Sequence, residues 1–148
     1  MPYLEDQEPG GTTTTASRTL SEQNIEAFAQ LSGDRHPIHT DAAYAKQRGH
    51  DDIIAHALLV LTVAQGLTGG SGIFGDGALA FLALTWRMIE AVYPGDTLNV
   101  HATVQSQSES CKDPSRGIVE FAFRVFNQRG RQGGRRLGAV IRQTPPQT

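Results

Sequence analysis

The sequence predicts an α+β protein in which an antiparallel sheet curls around one buried helix, and three observations carry that expectation. From Asp52 to Leu67, Ile, Ala, Leu and Val fall on nearly every side of a helix, the pattern of a helix enclosed by other elements. In the second half of the chain, Leu98–Val104, Val119–Val125 and Leu137–Ile141 alternate apolar and polar residues with a period of two. Turn chemistry separates those runs at Tyr93-Pro94-Gly95-Asp96, Lys112-Asp113-Pro114-Ser115 and Gln128-Arg129-Gly130.

With 148 residues and no repeat or linker, the chain is expected to form a single domain over 1–148 with one core. Residues 1–11 read as a loosely ordered lead-in closed by Pro9-Gly10-Gly11. The threonine-rich Thr12–Arg18 favours a short edge strand. Ser21 is placed to cap the next helix, with Leu20 and Ile25 as a hydrophobic staple across its first turn. Ile25, Phe28 and Ala29 give that helix its apolar stripe, and Gly33 ends it. Thr40 or Asp41 caps a second short helix, Ala42 to Gln47, which stops near Gly49. Ala78–Glu90 adds a fourth strand to the antiparallel run. Trp86 and Phe81 read as core. Gly66–Gly77 lacks the Lys-Ser/Thr of a phosphate-binding loop and reads as a flexible loop at the mouth of a substrate channel.

Composition narrows the function. A formal net charge of −2 gives no reason to expect nucleic acid or an anionic membrane as partner. Cys111 is the single cysteine and cannot form an intramolecular disulfide. The acidic start lacks the charged and apolar segments of a signal peptide. The longest apolar region, 53–67, is interrupted by His56, Thr62 and Gln65 and falls short of the ~20 residues a bilayer requires. A cytoplasmic protein is expected.

Chemistry concentrates in Ser32-Gly33-Asp34-Arg35-His36-Pro37-Ile38-His39. Asp34 and His39 are five residues apart, a spacing that diverges on a regular helix. Pro37 prevents a helix from running through and pushes His36 into an extended conformation. A bent loop can then aim carboxylate and imidazole at one point, as a general acid and base require. The same residues also fit a helix-capping aspartate with a packed histidine nearby. Asp34, His36 and His39 are acceptable zinc ligands, but no His-Glu-x-x-His pattern or cysteine pair supports a metal site. Arg129, Arg131, Arg135 and Arg136 form the one basic cluster, read first as a solvated hairpin and second as a holder of phosphates.

Phe28 to Asp41, with Tyr44-Ala45 and Ile54-Ala55-His56, resembles the hydratase motif of MaoC-like hot-dog proteins, which include the (R)-specific enoyl-CoA hydratases, also called 3-hydroxyacyl-CoA dehydratases. Tyr93–Thr97 and Val125–Gly130 extend the resemblance more weakly. It implies a hot-dog fold and interconversion of 2-enoyl and (R)-3-hydroxyacyl thioesters. It also implies that His39 handles the water while Asp34 orients it and serves the C2 proton. The residue after the motif's second histidine supplies a backbone N–H to the thioester oxygen. Glycine is usual there; here it is Ala57. His56 and Gln65 complete the implied oxyanion and substrate-binding set, Gln65 standing where a serine often supports the site and His36 where asparagine is usual. No metal or redox cofactor is implied, CoA entering only as part of the substrate. Rival readings are a hydratase of branched or dicarboxylic (mesaconyl-type) acyl-CoA or of carrier-protein-bound chains, and a non-catalytic acyl-thioester binder. A homodimer or dimer of dimers is expected, because Phe126, Val140 and Leu79–Trp86 leave an apolar outer face.

Overall fold

A computed structural model of the protein describes residues 9–74, 78–109, 112 and 115–143, with side chains as far as Gly134. Expectations about residues 1–8, Cys111, Asp113 and Pro114 of the 112–115 turn, and the side chains of Arg135, Arg136 and Val140 fall outside it.

The elements run β1 (Thr12–Thr14), β2 (Arg18–Thr19), α1 (Glu22–Ser32), α2 (Pro37–Thr40), α3 (Ala42–Gln47), α4 (Ala57–Gly70), β3 (Ala78–Met88), β4 (Thr97–Glu109), β5 (Arg116–Phe126) and β6 (Gln132–Gln143). Local chemistry sets the helix ends. Ser21 Oγ accepts from Asn24 N–H and Asn24 Oδ1 accepts from Ser21 N–H, a reciprocal capping box at the start of α1. Leu20 and Ile25 are both fully buried beside it. Gly33 ends α1 at φ 77°, a left-handed conformation that costs glycine little. Asp41, rather than Thr40, caps α3 by accepting from Tyr44 N–H.

Every strand pairing is antiparallel, and the main order is β1-β4-β5-β6-β3, with β2 also on β4. A simple up-and-down run would set β3 beside β4. Instead β3 crosses to the far edge, pairing from Ala78↔Arg142 to Met88↔Gly134. Pro94 and Gly95 (φ 91°) turn the chain ahead of β4, with Asp96 N–H donating to Tyr93 O at 3.1 Å, as a type II turn requires. Leu98, Val100, Ala102 and Val104 of β4 join Val119, Phe121, Phe123 and Val125 of β5 in one core with Leu59, Val60, Val63 and Ala64 of α4.

The sheet thus packs against α4, as expected, but two features differ. The helix begins at Ala57, not Asp52, because Ile54 N–H donates to Ile38 O and Ala55 N–H to Val92 O, which takes both N–H groups away from helical partners. Nor is the helix buried all round: Leu58, Thr62, Gln65 and Gly69 form an exposed stripe at helical spacing, Leu58 being 60% exposed. Gly66–Gly70 belong to the helix rather than to a loop. On β3, Leu79, Phe81, Leu82 and Leu84 are all exposed, so Phe81 is not core, whereas Trp86 packs partly buried against the core. No helix among the described residues is long and apolar enough to cross a membrane.

Candidate active site

Asp34 follows the left-handed Gly33, and its position is written by neighbouring polar side chains. Ser32 Oγ accepts from Asp34 N–H at 3.1 Å, and Asp34 Oδ1 accepts from His36 N–H at 3.2 Å. His36 is extended (φ −54°, ψ 136°), as the following proline dictates, and its Nδ1 accepts from Ile38 N–H. Pro37 does prevent a helix from running through, yet it also opens α2, so His39 stands on a single helical turn rather than in a bent loop.

His39 Nδ1 lies 2.7 Å from Ile54 O. A carbonyl can only accept, so Nδ1 carries the proton and Nε2 presents a lone pair. That Nε2 is 3.9 Å from Asp34 Oδ2, with the His39 side chain 12% exposed and that of Asp34 53% exposed. The gap is too long for a direct hydrogen bond and wide enough for one water to contact both atoms. Burial lowers the pKa of His39 below the ordinary 6.5; the Ile54 hydrogen bond opposes this, His56 reinforces it, and nearby Asp34 opposes it.

His56 sits immediately before α4, buried, with Nε2–H donating to Asp34 O at 2.9 Å. Its ring stacks on His39 with centroids 3.8 Å apart and 23° between planes. It offers α4 no side-chain cap, so the first-turn N–H groups, Ala57 first, remain at the positive end of the helix. Ala57 O in turn accepts from the Trp86 indole N–H at 3.0 Å.

These residues wall a cavity of about 540 Å³ whose lining includes Phe28, Asp34, His39, His56, Ala57 and Leu58. The lining is mainly apolar. A second, polar cavity of about 630 Å³ adjoins it through His50, Glu90 and Ala91 and reaches Arg129 and Arg131. Asp34, His39, His56 and Ala57 are therefore brought together. Gln65 is not: it is exposed on the outer stripe of α4, about 12 Å of helix rise from Ala57, and does not line the cavity. Phe28 and His50 line the cavity without having been singled out for the site by sequence.

Ligand-type atoms of Asp34, His39 and His56 lie within 4.8 Å of one another. The set has His56 in place of the His36 suggested by sequence. Stacking argues against a shared ion. Imidazole lone pairs lie in the ring plane, and an ion about 2.0–2.1 Å from both nitrogens would sit well outside two nearly parallel planes.

A family model described as "MaoC like domain" matches residues 5–120. Protein MaoC of Klebsiella aerogenes is 33% identical over 72% of this chain, which spans only 31% of that protein's length. The (R)-specific enoyl-CoA hydratase of Aeromonas caviae is 27% identical, with 81% of this chain and 84% of the relative covered. Among solved structures, the MaoC-like dehydratase from Rhodospirillum rubrum superposes with a TM-score of 0.91 at 26% identity, covering 99% of this chain and all of that one. The architecture is the hot-dog fold.

Proposed function

Because the chain belongs to the MaoC-like domain family, we propose that it adds water across the double bond of 2-enoyl thioesters to give (R)-3-hydroxyacyl thioesters, and dehydrates them in reverse. The observation that carries this reading is the 3.9 Å gap between a lone-pair-bearing His39 Nε2 and Asp34 Oδ2 in the wall of an apolar cavity. One water in that gap donates a hydrogen bond to each. His39 takes a proton as the water oxygen bonds to C3, and the π electrons pass to the thioester oxygen. The Ala57 N–H, at the positive end of α4, donates to that developing enolate. The enolate then collapses with protonation at C2, so the proton lost by the water is matched by one gained there. Asp34 orients the water and relays to C2 the proton that His39 took, so both groups end the cycle as they began. The lowered pKa of His39 keeps Nε2 unprotonated at neutral pH.

The acyl group lies in the apolar cavity. The polar arm of the thioester, from CoA or a carrier protein, runs into the adjoining polar cavity toward Arg129 and Arg131. The chemistry asks for no metal or redox group. The exposed apolar residues of β3 meet a second copy, in a homodimer or dimer of dimers. The test is hydration of crotonyl-CoA followed by loss of the enoyl-thioester absorbance, with the product's chirality determined, then repeated with branched, dicarboxylic and carrier-bound substrates. Protein that binds crotonyl-CoA yet leaves its absorbance unchanged would be a thioester binder and not a hydratase.

A further inference from the structure

We infer that His56 is the positioning residue of this site: its ring holds the acid and the base in one arrangement at the start of α4. The inference rests on the hydration reading above and adds a role for a residue the reaction does not itself use. Three contacts converge on the ring. Nε2–H donates to the main-chain carbonyl of Asp34, tying the turn after Gly33 to the start of α4. One contact with His39 is face to face, at 3.8 Å between centroids, and this fixes the plane in which the His39 lone pair lies. Phe28 packs against the ring as well, tilted at 58° with centroids 4.9 Å apart.

The choice of imidazole is informative. His56 is 3% exposed, and its Nδ1 is buried with no hydrogen-bond partner among the described residues. A side chain present only for packing would carry no such unmet atom; phenylalanine would fill similar space without it. What imidazole adds here is a donor at Nε2, aimed at a carbonyl 22 residues earlier in the chain. Asp34 needs that support, because its own side chain is half exposed and it follows a left-handed glycine. A displacement of about 1 Å in a reacting group costs on the order of 10²-fold in rate, so a tether on Asp34 has catalytic weight.

His56→Phe keeps an aromatic ring and deletes the donor. His56→Gln keeps a donor the same number of bonds from Cα and loses the ring. With crotonyl-CoA, His56→Phe is expected to lower kcat roughly 10–100-fold with KM nearly unchanged and a melting temperature close to the parent's. His56→Gln should recover most of that loss. A folded His56→Phe with parental kcat, or the two variants impaired equally, would overturn the assignment. A measurement on the unaltered protein covers the case where neither variant folds: the ring ¹⁵N signals of His56 should place the proton on Nε2. A proton on Nδ1 instead would overturn the assignment too. If the unaltered protein hydrates no thioester, the hydration reading fails, while the ¹⁵N result still judges the tether.

Discussion

Phe121 and Phe123 of β5 stack at 5.6 Å inside the sheet, fully buried, surrounded by Val100, Val119 and Val125 that contribute shape alone. The stretch from Asp34 to Asp41 is built the opposite way. No residue of α2 is buried, and the backbone is held by a succession of side-chain hydrogen bonds: Ser32 Oγ from Asp34 N–H, Asp34 Oδ1 from His36 N–H, His36 Nδ1 from Ile38 N–H, His39 Nδ1–H to Ile54 O, and Asp41 Oδ1 from Tyr44 N–H. Burial is non-directional and strong in aggregate; short polar side chains bonding to nearby main chain impose direction at little cost in exposed area. The turn can therefore keep Asp34 Oδ2 and His39 Nε2 open to a cavity while the core supplies the stability. Changes in the turn should cost rate, and changes in the core should cost folding.

The largest expected effect tests that division directly. Asp34→Asn keeps the shape of the side chain and removes its proton-transfer capacity, so hydration should fall ~10²–10⁴-fold while the melting temperature shifts only slightly. Because Asp34 and His39 serve one step, the double variant Asp34→Asn, His39→Ala should be little worse than the worse single. Normal hydration by a folded Asp34→Asn would remove the site assignment. From the other side, Phe121→Ala should lower unfolding free energy in a denaturant titration by about 3–5 kcal/mol, with kcat per folded molecule nearly unchanged. A parallel fall in kcat would show that core and turn are mechanically coupled.

The pH dependence is smaller and has a defined sign. His39 has a lowered pKa in the folded state, so the acid limb of kcat/KM should lie below the 6.5 of an ordinary histidine. The same shift means that the unfolded chain binds the proton more readily. His39's share of stability is full above 6.5 and is lost as pH falls toward the folded pKa. An acid limb at or above 6.5 would mean that burial does not govern His39. The smallest effect is at Ala57→Gly, which keeps the N–H and removes a methyl group from the cavity wall. A rise of roughly threefold in kcat/KM for crotonyl-CoA is expected, below the ~10-fold that a methyl group can be worth in a pocket. A fall with every straight-chain substrate would show that the methyl is not crowding the thioester.

The contrast also explains what could be read from the sequence. Ser21, Gly33, Asp41 and the Tyr93–Asp96 turn were legible because each acts within four residues of itself. So was the alternation of β4 and β5, since one sheet face is buried. The half-exposed state of α4 was not, because an apolar helix looks alike on all sides until its neighbours are known, and β3 lies at the far edge of the sheet with β5 and β6 between it and β4. That Gln65 lies on the exposed face of the helix was hidden for the same reason. His56 stood out in the motif, but its hydrogen bond to Asp34 left no trace in pattern or spacing, because the partner is a main-chain oxygen, and every residue has one.

The strand order has a consequence for synthesis. Among the described residues β3 pairs with β6 alone, whose partners follow by 46 positions (Met88↔Gly134) to 64 positions (Ala78↔Arg142) and close the sheet. As the chain leaves the ribosome, Leu79, Phe81, Leu82 and Leu84 must therefore wait unpaired while β4 and β5 zip together beside them. A stall anywhere between residues 90 and 131 would leave that apolar strand open to neighbouring chains, so β3 is the segment where interrupted translation and aggregation meet.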